Sequence, residues 1–237
     1  MIEICKKEYK QFFVSPRGYV IVAVYFFISS LYFCTVNLSN VLVELSYDFA
    51  FQSNWLLMFL LPMLTMRLLA EERKTKTDQL LLTSPVSVAG IVYGKFFGAL
   101  IVYLICISCN ALFFAIVSTH STIFLWREFV CRMIGMILLG GAIISVDMFI
   151  SALTESQLLA AFVAMGVNIL MLITRSYVAT ISSPVLQFLA GLLSVFGRFY
   201  DTFAMGIFSI SNAVYYISFT VFFLFVTIQI IEKRRWG

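Results

Sequence analysis

Few side chains in this sequence could do chemistry, and their spacing narrows what that chemistry could be. His120 is the single histidine, and Asp147 is the one carboxylate well inside a long apolar stretch. General acid–base catalysis needs two proton-exchanging groups within reach of one substrate. A histidine at the end of one stretch and an acid within another do not supply the pair, so an intramembrane enzyme is disfavoured and no catalytic residue is assigned. Cys106 and Cys109 form a Cys-x-x-Cys inside a run, residues 96–126, that contains no Lys, Arg, Asp or Glu. That setting suits buried, apolar thiols better than a redox or metal pair, and no metal ligands are assigned. Gly90 to Lys95 lacks the Gly-x-x-x-x-Gly-Lys-Ser/Thr spacing of a phosphate loop and runs on into apolar sequence, so the chain has no ATP site of its own.

Asp147 and Asn168 remain as polar candidates in two consecutive apolar stretches. An unpaired charge at such depth costs on the order of 3 kcal/mol, so Asp147 must be paired, protonated or beside water. Two readings stand side by side. Asp147 and Asn168 could line a path through the membrane, or Asp147 could be satisfied by hydroxyls such as Ser145 and Ser151 or by another helix. For Asn168 a hydrogen bond between helices is the favoured reading.

The composition says what must position these residues. Of 237 residues, 62% are hydrophobic and only 12% charged, too little polar surface to cover a soluble domain. The five cysteines are odd in number and scattered, which argues against a disulfide framework. No basic face lies outside the membrane, so nucleic acid is excluded as a partner. The chain is expected to be a single membrane domain, 1–237, in a lipid bilayer, with room for about six helices of about 20 residues each.

One polar segment interrupts the apolar sequence. Residues 71–86 carry six charges, then Leu80, Leu81 and Leu82, then a Ser84-Pro85 stop. This reads as a short amphipathic helix on a membrane surface, with Thr75 or Thr77 as N-cap, presenting an apolar ridge to a soluble partner. At the N-terminus, Ile2, Cys5, Tyr9, Phe12 and Phe13 share one helical face, opposite Glu3, Lys6, Lys7, Glu8 and Lys10. This predicts an interfacial helix over 1–16, broken by Ser15-Pro16-Arg17-Gly18, and argues against a cleavable signal peptide. Spans are expected at about 18–36, 54–66, 93–118, 131–153, 158–174 and 211–231. Pro62 lies within the second, and Glu44 and Asp48 in the loop before it. Gly135, Gly140 and Gly141 in the fourth invite close approach of another helix backbone.

Residues 176–210 are apolar enough at their start to suggest a seventh span, but charge decides against it. With six crossings, 12 of the 16 basic residues fall on one side, which the positive-inside rule makes cytoplasmic; seven would send Lys233, Arg234 and Arg235 outward. Residues 176–210 are therefore expected to form two short helices lying at, or dipping into, the outer face, broken at Ser182-Ser183-Pro184 and at Gly206. Arg132, Arg175 and Arg198 are expected to snorkel to that interface.

Several of these segments resemble the ABC-2 type transport permeases, especially the branch of the gliding-motility and nitrous-oxide-reductase-maturation permeases. The matching residues are Glu71-Glu72-Arg73, Thr77, Leu80 to Leu82 and Thr83-Ser84-Pro85-Val86, with Lys76 where that family usually has glycine. Gly18-Tyr19, Ser151-Ala152-Leu153-Thr154 with Ser156-Gln157, Tyr215-Tyr216 and Glu232 to Trp236 extend the resemblance over nearly the whole chain. It implies an all-α polytopic membrane protein of six transmembrane helices. To these it adds an N-terminal elbow helix, a cytoplasmic coupling helix and short outer-face helices between spans five and six. It also implies a transporter subunit driven by a separate ABC ATPase that binds the ATP and Mg. That partner would dock on Glu71, Glu72, Arg73, Thr77, Leu80, Leu81, Leu82, Ser84 and Pro85. A second permease copy or a related permease would complete the path, with both termini cytoplasmic in the cell membrane and export the expected direction. The competing class is a membrane scaffold that anchors a partner without transporting anything.

Overall fold

A computed structural model describes residues 2–38, 45–75, 87–120, 126–177 and 184–236. Every element among them is helical. Six stretches are long and apolar enough to cross a membrane: Gly18–Val36, Asp48–Lys74, Val88–Ser118, Trp126–Leu153, Gln157–Thr174 and Ile210–Arg234. The protein is an all-α polytopic membrane protein.

Helix α1 (Ile2–Val14) ends where Ser15 takes an extended conformation (φ −87°, ψ 144°) and Pro16 opens α2 (Pro16–Phe33). A proline at the first helical position loses no hydrogen bond there. The elbow between the two helices is tight because Gly18 has no side chain: a Cβ at that position would sit 2.3 Å from the Phe12 carbonyl oxygen.

The second span is longer than the sequence suggests at both ends. It comprises α3 (Leu45–Phe51), a π-helical turn at Gln52–Leu56, α4 (Leu57–Thr65), a non-helical turn over 66–69 and α5 (Ala70–Lys74). Asp48, expected in a loop, is buried in α3. The polar Gln52 is tolerated inside because its amide exchanges hydrogen bonds of 2.7 and 2.8 Å with Asn110 and accepts another, 2.8 Å, from the Tyr25 hydroxyl. Buried polar groups need such partners.

The third span is α6 (Val88–Ile107), capped by Ser87, whose hydroxyl accepts from the Gly90 N–H at 3.2 Å, followed by α7 (Cys109–His120). The fourth is α8 (Trp126–Leu153), the hub of the bundle. Of its most apolar window 72% is buried, against 17–28% for the first, fifth and sixth spans. It packs on α4, α6, α9 (Gln157–Tyr177) and, over the greatest length, on α12 (Ile210–Trp236). Its glycines receive aromatic rings, not the expected helix backbone. A Cβ on Gly140 would lie 2.1 Å from the Tyr103 ring, and one on Gly135 would lie 2.3 Å from Phe203. The Tyr103 hydroxyl then donates to the Met136 carbonyl at 2.9 Å, so the ring is fixed at both ends.

Between the fifth and sixth spans lie α10 (Pro184–Leu193) and α11 (Val195–Arg198), the latter continued by a π-helical turn, Phe199–Phe203. Pro184 opens α10; Ser182 and Ser183 fall outside the described residues. A further break comes at Ser194, and Gly206 turns the chain with φ +78°. Val195, Phe196, Phe199 and Phe203 are fully buried. This stretch of the connection is thus a plug packed into the bundle, because four large apolar side chains gain more from burial than from an interface. Arg198 and Arg132 do not extend freely to the interface. Arg198 donates to Asn212 and the Gly191 carbonyl and lies 4.2 Å from the centre of the Tyr215 ring; Arg132 donates to the Ala204 carbonyl and pairs with Glu128. The side chain of Arg175 is outside the described residues.

Candidate functional site

The end of the bundle that carries α1, α5, the 153–157 turn and the end of α12 is rich in lysine and arginine, and its charges are organised around one buried cation. Lys95, two turns into α6, has a side chain 2% exposed, and its Nζ donates to Glu8 Oε1 and Glu72 Oε1, both at 2.8 Å. Three elements remote in sequence, α1, α5 and α6, meet at this ammonium. The contact forms because α1 lies directly on α6, where Gly98 leaves room: a Cβ there would be 2.8 Å from the Glu8 Cβ. Glu8 is therefore buried, whereas the periodicity of α1 assigned it to the solvated face.

A second set of bonds ties α5 to the end of α8. Arg73 donates to the Leu153 carbonyl at 3.0 Å and pairs with Glu155 at 3.0 Å. The Ser151 hydroxyl accepts from the Ala70 N–H at 3.1 Å and donates to the Met66 carbonyl at 3.1 Å. It caps the start of α5 where no residue of the local sequence does. Arg234, from α12, donates to the Ala152 carbonyl. Glu71 makes a longer contact of 3.9 Å with Arg67, one turn earlier.

Of the residues expected to meet a partner ATPase, Glu71, Glu72 and Arg73 thus belong to α5, the last turn of the second span, and Glu72 and Arg73 are joined to the subunit's own helices. Thr75 ends this helix, its hydroxyl donating to the Glu71 carbonyl at 2.9 Å; the helix for which Thr75 or Thr77 was the expected N-cap lies outside the described residues. Thr77, Leu80, Leu81, Leu82, Ser84 and Pro85 lie outside the described residues.

Asp147 and Asn168 are brought together. Asn168 Nδ2 donates to Asp147 Oδ1 at 3.2 Å, and the Thr65 hydroxyl lies 3.4 Å from Oδ2. With exposures of 1% and 0%, both side chains are enclosed by this subunit's own helices α4, α8 and α9. Ser145 and Ser151 do not serve this carboxylate; Ser145 bonds its own helix at the Ala142 carbonyl. Cys106 and Cys109 are buried free thiols.

Sequence reasoning missed Lys95, Glu8 and Ser151. A signal existed for the first: Lys95 is the lone cation of residues 88–118. A cation so deep in an apolar span requires a carboxylate partner.

No curated protein matches the chain. Residues 2–234 match the family described as ABC-2 family transporter protein, a span that takes in α1, all six membrane-crossing stretches and the α10–α11 connection. The chain belongs to the ABC-2 transporter family, as a membrane permease component of an ABC transporter.

Proposed function

We propose that this permease couples to a separate ABC ATPase through the segment that follows α5, and that the bonds around Lys95 and Arg73 carry the partner's movement into the bundle. The observation behind this reading is the Glu8–Lys95–Glu72 cluster, at 2.8 Å on each side. A force applied just beyond Lys74 acts on α5, and α5 is joined to α1 and α6 through Lys95 and to α8 through Arg73 and Ser151. Helices so joined move as rigid bodies, because a packed, hydrogen-bonded interface shifts between discrete arrangements and does not deform smoothly.

In this reading the lysine- and arginine-rich end is cytoplasmic, both termini included, following the positive-inside rule. ATP and Mg stay with the partner. Two permease subunits enclose the path, and the sparsely covered faces of α2, α9 and α12 are the surfaces open to lipid or to the second subunit. Export is the direction that the resemblance to the gliding-motility branch favours. Asp147 and Asn168 act as a clasp between α8 and α9 that keeps its partners through the movement.

The test is copurification of the chain with a coexpressed ABC ATPase of its host, in the wild type and in a Leu80→Asp/Leu82→Asp double variant. The wild type retains a partner that hydrolyses ATP, and the variant loses the partner or its hydrolysis. Equal attachment and equal hydrolysis in both would contradict the docking assignment.

A further inference from the structure

A cavity of about 440 Å³ opens beside the Lys95 cluster, between α1, the start of α2 and the end of the second span. Its volume is within the range of small-molecule sites. The lining has a polar and an apolar side. Arg67, Glu71, Glu72, Glu8 and Lys95 line its polar side. Val20, Ile21 and Met63 line its apolar side. Val20 and Met63 are exposed, so this apolar side is accessible to the hydrocarbon that surrounds a membrane-spanning bundle. This is the shape of a site for a molecule with a polar head at the interface and an acyl chain in the bilayer.

The charges specify the head. Three carboxylates and two cations line the polar side, leaving one negative charge in excess among the described residues. Lys95 is engaged by Glu8 and Glu72 at 2.8 Å, whereas Arg67 and Glu71 are 3.9 Å apart, half-buried, and positioned to bind other groups. A phosphate fits the Arg67 guanidinium, which presents paired donors to it. A primary ammonium fits Glu71 and the surplus negative charge of the Lys95 cluster. An anionic head such as glycerol phosphate offers no cation to the carboxylates, and a quaternary ammonium cannot donate the hydrogen bonds.

We infer that this cavity binds a zwitterionic phospholipid with a primary amine, of the ethanolamine class, its phosphate on Arg67, its ammonium on Glu71 and its acyl chain along Val20, Ile21 and Met63. The lipid would fill the angle between α1 and the second span, next to the cluster that joins α1, α5 and α6. The inference does not depend on the ATPase docking reading.

The test is native mass spectrometry of the delipidated full-length protein titrated with phosphatidylethanolamine, phosphatidylcholine or phosphatidylglycerol of matched chains. Phosphatidylethanolamine should bind roughly tenfold more tightly than either, the factor expected for one charge-assisted hydrogen bond. Arg67→Gln and Glu71→Gln should each remove the preference, and Val20→Trp, which occupies the apolar side, should weaken phosphatidylethanolamine binding without altering the polar residues. Soluble phosphoethanolamine should not displace the lipid. Equal binding of the three lipids by the wild type, a preference that persists in both polar variants, or displacement by soluble phosphoethanolamine would each overturn the proposal; the first needs no variant to fold.

Discussion

The Lys95 ammonium and the Glu8 carboxylate lie 2.8 Å apart across 87 residues of sequence, and both side chains are at most 9% exposed. A pair this buried is not a stability device in itself, because desolvating both charges offsets most of their attraction. Its consequence is an asymmetry: the charges are tolerated together and poorly tolerated alone. It fixes where α1 sits on α6 and holds α5 in the same arrangement.

Lys95→Met should therefore destabilise the protein by about 3 kcal/mol, because it leaves the Glu8 and Glu72 carboxylates facing each other in a buried site. A Glu8→Leu/Lys95→Met double variant should recover part of that loss, Glu72 being the more exposed of the two acids. Thermal unfolding in detergent compares the three proteins. A double variant no more stable than Lys95→Met would show that the cluster does not behave as a coupled unit.

The Asp147–Asn168 bond makes a prediction of opposite form for its two partners. Asp147→Asn keeps an acceptor for Asn168 and should change stability by less than about 1 kcal/mol. Asn168→Leu removes a donor from a buried carboxylate and should cost roughly 1–3 kcal/mol. The same unfolding assay separates them; equal losses would mean that the hydrogen bond is not what holds the carboxylate.

Gly140 and Gly166 should respond differently to alanine. A Cβ at 140 would strike the Tyr103 ring at 2.1 Å, whereas one at 166 meets nothing within 4 Å. Gly140→Ala should cost about 1–3 kcal/mol through overpacking, and Gly166→Ala should be neutral or gain up to about 1 kcal/mol from reduced backbone freedom. A tolerated Gly140→Ala would be at odds with the α6–α8 packing.

Gly206, with φ +78°, combines a left-handed backbone with a Cβ position 2.8 Å from Glu128 Cγ. Gly206→Ala should cost about 1–2 kcal/mol from the backbone alone. Because the turn feeds α12, the loss should appear as earlier proteolysis between α11 and α12, read by limited digestion. An unchanged digestion pattern would argue against a turn held by glycine.

The contrast between what could and could not be read beforehand has physical causes. The spans were legible because a run of apolar residues between charges has one outcome in a bilayer, and the Ser15-Pro16 break was legible because proline admits only a few backbone arrangements. The extension of the second span to Asp48 was not: it depends on Gln52 finding Asn110, 58 residues away. Glu8 was assigned to solvent by its helical face, since periodicity cannot anticipate a lysine arriving from α6. Residues 71–86 were read as one polar segment; the structure joins Glu71, Glu72 and Arg73 to the span before it, because Ser151 from α8 supplies the cap that the local sequence lacks. Asp147 and Asn168 were both singled out as polar residues in apolar spans, but that they bind each other follows only from how α8 and α9 pack.

The most direct test of the coupling assignment is photocrosslinking in native membranes from a benzoylphenylalanine placed at Leu81, with the same residue at the exposed Phe162 of α9 as control. The expected result is an adduct with the ABC ATPase from position 81 and none from position 162. No adduct at 81, or equal adducts at both, would contradict docking on the segment after α5.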